Sequence, residues 1–244
     1  MLENAPWALW LRRVARTMVK SAKSKGTRQQ AQSLADIAYA AIEEMIVSRQ
    51  LMPGAMISEG QIGEDLGMGR TPVREAISRL KHIGFVEVHP RRGVLVSGVD
   101  VIRHLELLEV RRPLEESVAR HALTRATTNE LKEIQAIARD LADAAKAGDR
   151  IRYFRVKRSL HEAEVRAANN EVLTRTMQAL HAQSRRFWYT YEPTDSFAYG
   201  AKLHGAIANQ IAKRDAPGAT AAVVNLFEFL ERLTRSALDR RPRE

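Results

Sequence analysis

The stretch MGRTPVREAISRLKHIGF, residues 68–85, decides how the first part of this chain folds. Thr71 before Pro72 reads as an N-cap followed by a proline at the first helical position, where the missing N–H costs nothing. Val73, Ala76, Ile77 and Leu80 then recur at helical spacing as one buried stripe, with Arg74, Glu75 and Ser78 on the opposite side. Gly84 supplies a C-terminal stop. Downstream, FVEV and VLVS alternate as two strands around the turn HPRRG. Upstream, Leu34, Ile37, Ala41, Ile42 and Met45 mark a helix closing near Ser48. LMPGAM punctuates the chain, and a second short helix turns Ile62 and Leu66 inward. Three helices followed by a two-stranded basic hairpin make a winged helix-turn-helix over residues 32–98.

Beyond Asp100 the strand signal vanishes and helical periodicity takes over. Roughly six helices are expected, at 101–125, 128–147, 150–168, 171–190, 196–213 and 217–239. They are bounded by caps at Thr128 and Asp149, the Asn169-Asn170 pair, a break at Glu192-Pro193 and a turn from Asp215 to Gly218. Residues 101–240 therefore read as an all-helical bundle, and the fold class as mainly α. Residues 1–31 read as a basic, flexible arm, with a short helix around WALWLRRVARTMV.

The chain has 244 residues, no cysteine and a net charge of +10. Absence of cysteine excludes disulfides, thiolate zinc sites and cysteine nucleophiles, and fits a reducing cytoplasm. No apolar run reaches the length of a membrane span, and APWALWL follows an acidic residue where a secretory signal would carry a basic start. The positive excess lies in the first thirty residues and beyond residue 100, while the winged segment is slightly acidic. DNA binding by that segment must therefore use a localised basic face.

A recognition helix enters the major groove through its N-terminal residues, so Arg70 and Arg74, one turn apart, face bases and phosphates there. Thr71 and Ser78 add hydroxyls, the helix start adds free N–H groups, and Arg91, Arg92 and Gly93 form the tip of the wing.

LMPGAMISEGQIGEDLGMGRTPVREAISRLKHIGFVEVHPRRGVLVS resembles the DNA-binding domain of GntR-type bacterial transcription regulators. The resemblance implies DNA contacts at the positions of Arg70, Thr71 and Arg74 and a wing tip near Gly93. Gly60 stands where an arginine is usual, and Gly63 and Gly69 replace alanine and serine. LELLEVRRPLEESVARHA, RSLHEAEVRAANN and KLHGAIANQIAKRD resemble segments of the FCD effector domain that follows this reader in one large subfamily. In such domains a carboxylate and three histidines often hold a divalent cation that helps bind a small carboxylate effector.

Transferred residue by residue, that set becomes Lys157 in place of the carboxylate, then His161, His204, and Leu226 in place of the third histidine. His204 is the last histidine of the chain, so no later residue restores the set, and neither a divalent metal nor any other cofactor is expected. A metal-dependent regulator retaining a degenerate divalent site is a lesser alternative, and two further readings stay open. Lys157, with His161, His204 and Arg111, binds a small organic-acid effector directly; or Lys157 reaches solvent or an internal acid while the histidines are core residues. The whole reads as a cytoplasmic, homodimeric, effector-modulated repressor of a palindromic operator, with no membrane partner and no catalytic residues. An enzyme using His161 and His204 lacks a nucleophile or phosphate loop. An architectural DNA-binding protein would show little sequence preference.

Overall fold

The computed structural model describes residues 33–239, which divide into one unit ending at Val99 and another starting at Asp100. In the first, α1 (Leu34–Val47) begins at a capping box in which Ser33 and Asp36 satisfy each other's backbone N–H groups. It buries Ile37, Ala38, Ile42, Met45 and Ile46. A short strand β1 (Met56–Ile57) leads to α2 (Glu59–Leu66), capped by Ser58 and stopped by Gly67 in the left-handed region.

The deciding stretch forms α3 (Arg70–His82), with Val73, Ala76, Ile77 and Leu80 at most 1% exposed. Val73, Ile77 and Leu80 each contribute roughly 1.5–3 kcal/mol relative to exposure and the Ala76 methyl roughly 0.8 kcal/mol, enough together to fix which way the helix faces. The helix starts earlier than the Thr71 cap predicts: Gly69 is the N-cap and makes no side-chain cap bond. Thr71 and Pro72 instead sit inside the first turn, where proline's missing N–H is equally harmless because those N–H groups have no intrahelical partner. Gly84 follows the C-cap Ile83 at φ 72°, the left-handed stop that its sequence position suggests.

β2 (Val86–His89) and β3 (Gly93–Val96) pair antiparallel, Val86 opposite Val96 and His89 opposite Gly93. The wing is wider than the expected two strands, because β1 adds to the free edge of β3 through Met56–Leu95 and Ile57–Val94. Two residues carry too little alternation to announce a strand in sequence. Val86, Val94 and Val96 are buried on one face, and Phe85 is buried just before β2.

The second unit contains α4 (Val101–Arg125), α5 (Thr128–Lys146), α6 (Arg150–Ala167), α7 (Glu171–Tyr191), a 3-10 turn (Thr194–Ser196), α8 (Phe197–Lys213) and α9 (Ala216–Asp239). Asp100, Asp149 and Asn170 cap α4, α6 and α7. The α5 cap is Thr127 rather than the expected Thr128, because Thr127 closes a capping box with Glu130. α4 is the axial helix: it packs against α6, α7, α8 and α9. Its buried side chains include two charged ones, Arg111 and Glu115. No helix among the described residues is long and apolar enough to cross a membrane. The expected N-terminal arm and its short helix lie outside the described residues.

Candidate functional site

Arg70, Thr71, Arg74 and Ser78 are all exposed on α3. Because Gly69 offers no capping side chain, the first N–H groups of α3 remain free to meet an anion, and the helix dipole favours one there. Arg74 is not idle: its Nε donates to Glu59 Oε2 at 3.1 Å, joining α3 to the start of α2. Its side chain is still 69% exposed. Such a pair is worth about 0–1 kcal/mol and yields readily to a phosphate or base. At the wing tip Arg91 and Arg92 are exposed, and Gly93 adopts φ 109°. A Cβ there would lie 2.9 Å from the Ile57 carbonyl oxygen, so glycine allows β1 to approach the tip.

The second unit buries a cluster of charged and imidazole groups around α4. Arg111, 1% exposed, donates from Nε and Nη2 to Glu115 Oε1 at 2.9 and 2.7 Å. Its Nη1 donates to Ser184 Oγ at 2.8 Å, which also accepts from Trp188 Nε1. His181 Nε2 stands 2.7 Å from the same Glu115 oxygen. Burial would raise the Glu115 carboxyl, but His181 and Arg111 outweigh it and hold it at about 2. Lys157 Nζ donates to Glu192 Oε2 at 2.9 Å, and the Tyr153 hydroxyl donates to Glu192 Oε1 at 3.1 Å. Lys157 therefore has an internal carboxylate partner. Glu192 gave no sequence signal because it joins Lys157 from the far end of α7, where it is the C-cap.

His161 stacks on His181 with ring centres 4.3 Å apart and crosses His204 at 5.1 Å. Nε2 of His161, Nε2 of His204 and Oε1 of Glu164 have no hydrogen-bond partner. Burial, then neighbouring charge, holds both imidazoles well below their ordinary pKa, leaving them neutral. Burial and then Glu115 raise Glu164 well above the usual carboxylate range.

The four positions that the FCD resemblance designates for a cation do not fit one. Lys157 is an ammonium already bonded to Glu192, and Leu226, buried at 2% exposure, has no donor atom. His181, which lies between the two matched histidines in sequence, stacks on His161 from α7, and donor atoms of Glu115, His161 and His181 lie within 4.8 Å of one another. Chain order hid this residue, since the motif places its third histidine after His204.

Two family models match the chain: "Bacterial regulatory proteins, gntR family" over residues 34–96 and "FCD domain" over residues 106–229. The chain belongs to the GntR family and carries an FCD domain. A GntR regulator of this type is a transcription regulator that binds DNA through its helix-turn-helix, and not an enzyme. Among its relatives, the Nta operon transcriptional regulator of Aminobacter aminovorans is 29% identical over 58% of this chain and 67% of its own length. HTH-type transcriptional regulator McbR of Escherichia coli is 30% identical over 53% of this chain and 59% of its own length. The solved structure of E. coli McbR/YncC shares the fold, with a TM-score of 0.75 at 21% identity, over 85% of this chain and 99% of that one. In sequence, the match to these curated relatives thus spans about three fifths to two thirds of their length.

Proposed function

We propose that this GntR regulator is a homodimeric repressor that reads a palindromic operator and is modulated by a small organic anion held in its helical unit. The observation that carries the DNA half is the uncapped, exposed start of α3, which presents Arg70, Thr71, Arg74 and Ser78 beside free N–H groups. Twofold pairing of two such helices matches two half-sites. The anion half is supported by a cavity whose charged walls are all basic: Arg111, Lys157, Arg158 and Arg185, with Ser184 and Trp188 alongside. Arg111 and Lys157 share their charge with Glu115 and Glu192, so an incoming carboxylate competes with, or adds to, an internal one.

The two halves are tested apart. An operator fragment selected from random DNA is titrated by fluorescence anisotropy against the wild-type chain and Arg74→Ala. A good base contact is worth about 1–3 kcal/mol, so the variant should bind roughly ten- to a hundredfold more weakly, with a lower specificity ratio. Equal affinity refutes the groove assignment. A panel of small mono- and dicarboxylates is then added to the preformed complex. One should release the operator, and Lys157→Met combined with Glu192→Gln, which removes the ammonium without stranding its buried partner, should abolish that response while leaving ligand-free DNA binding intact. A panel without effect removes the anion half and leaves the DNA half standing.

A further inference from the structure

Two donors one turn apart on α6 aim at a single carboxylate. Lys157 Nζ donates to Glu192 Oε2 at 2.9 Å and the Tyr153 hydroxyl to Glu192 Oε1 at 3.1 Å, so each oxygen has its own partner. All three side chains are buried. Burial, then Glu192, raises the Tyr153 hydroxyl well above its usual pKa and keeps it a donor. The Tyr153 ring is held by stacking on Phe197, with ring centres 4.0 Å apart. Room for the carboxylate comes from α8, where a Cβ at Gly200 would lie 2.8 Å from the Tyr153 hydroxyl and 3.5 Å from Glu192 Oε1. An ammonium and a hydroxyl fixed in this way suit any small carboxylate, not Glu192 alone.

Lys157 also has a second side, since it lines the basic cavity of Arg111, Arg158 and Arg185. The Arg158 side chain is 34% exposed, so that cavity reaches towards solvent. Glu192 comes to the two donors as the C-cap of α7, and its backbone carbonyl is bound by Arg150 Nη1 at 2.9 Å. Its side chain can therefore swing out while the end of α7 stays anchored. The ring centres of Tyr153 and Phe154, 5.2 and 5.6 Å from Lys157 Nζ, would compensate part of the ammonium charge during the exchange.

We propose, building on the anion-modulated function above, that Lys157 and Tyr153 form a carboxylate receptor whose resting occupant is Glu192, and that a small carboxylate from solution binds by taking its place. Glu192 is then a tethered competitor. It compensates the ammonium in the empty protein and lowers the apparent affinity for a free ligand, because only the fraction of molecules with the receptor open can bind.

Glu192→Ala removes the atoms of one acetate ion beyond Cβ, so acetate is the probe. The full-length variant is melted under circular dichroism in sodium acetate, with sodium chloride and acetamide at matched concentrations as controls. Acetate should raise the midpoint saturably, by about 3–5 °C at about ten times its dissociation constant. A response no larger than that to chloride or acetamide overturns the receptor. Wild type should bind acetate at least about tenfold more weakly than this variant, yet respond more than the Lys157→Met, Glu192→Gln chain, which has lost the receptor. Equal responses in those two refute the exchange, and this comparison decides even if Glu192→Ala fails to fold. A carboxylate that releases the operator from wild type, with no acetate response in Glu192→Ala, would keep the anion-modulated function and remove Lys157 and Tyr153 as its site. Acetate rescue with no operator release by any carboxylate would keep the receptor and remove its regulatory use.

Discussion

Removing the carboxylate from the Lys157–Glu192 pair, as in Glu192→Gln, should be among the most destabilising single changes in the helical unit. The side chains are 8% and 1% exposed and meet at 2.9 Å. At an effective dielectric constant of about 20, that separation corresponds to an attraction of about 6 kcal/mol. Desolvating the two ions costs several kcal/mol each, so the net worth of the pair is small. Loss of one partner is a different matter, because the buried ammonium keeps its desolvation cost without compensation. The expected penalty is about 3–5 kcal/mol. Lys157→Met with Glu192→Gln should recover most of it, giving a large coupling energy in a double-mutant cycle. Trp188 is a convenient reporter, since Lys157 Nζ lies 6.0 Å from its ring centre. Urea titrations of the four proteins, followed by its fluorescence, yield the cycle. A penalty below about 1 kcal/mol for Glu192→Gln, or additive single variants, would refute the claim that the pair is closed and buried.

Acid stability should carry the signature of His104. Burial, then Arg111 and Lys157, lowers its pKa from 6.5 to about 3. Its contribution is therefore complete above pH 6.5 and is lost as the pH falls towards 3, because the unfolded chain takes up a proton that the folded one refuses. The loss is about 1.4 kcal/mol per pH unit within that window. His104→Phe, which keeps an aromatic ring against Phe187, should flatten the fall in urea midpoint between pH 6.5 and 5; parallel curves for the two proteins would contradict it. In the wing, Gly93→Ala forces a Cβ to 2.9 Å from the Ile57 carbonyl at φ 109°. It should destabilise the DNA-binding unit by about 1–3 kcal/mol and detach β1 from β3, with the amide of Ile57, which faces Val94, exchanging faster. Unaltered exchange there would mean that the close approach imposes no constraint.

The helical frame was legible because its signals are local. Thr127, Asp149 and Asn170 cap the helices that follow them, Gly84 ends α3, and the stripe Val73, Ala76, Ile77 and Leu80 repeats at 3.6-residue spacing. The cap errors, two residues at Thr71 and one at Thr128, arose where neighbouring residues could each serve as cap or first-turn residue. β1 escaped notice because pairing of two residues is settled by the edge of β3 rather than by their own pattern. The buried cluster was legible only in its motif-bearing half. His161 and His204 sit where a pattern places them, but Glu115, His181 and Glu192 matter through separations of 35 to 66 residues, which no periodicity encodes.

The Lys157–Glu192 contact also constrains how this chain can change. A substitution at residue 157 restoring a carboxylate would set two buried acids against each other across the space now bridged at 2.9 Å. A change at residue 192 alone strands the ammonium. The two positions can thus drift only in concert, and return to the ligand set usual in FCD domains is barred to any path that alters residue 157 first.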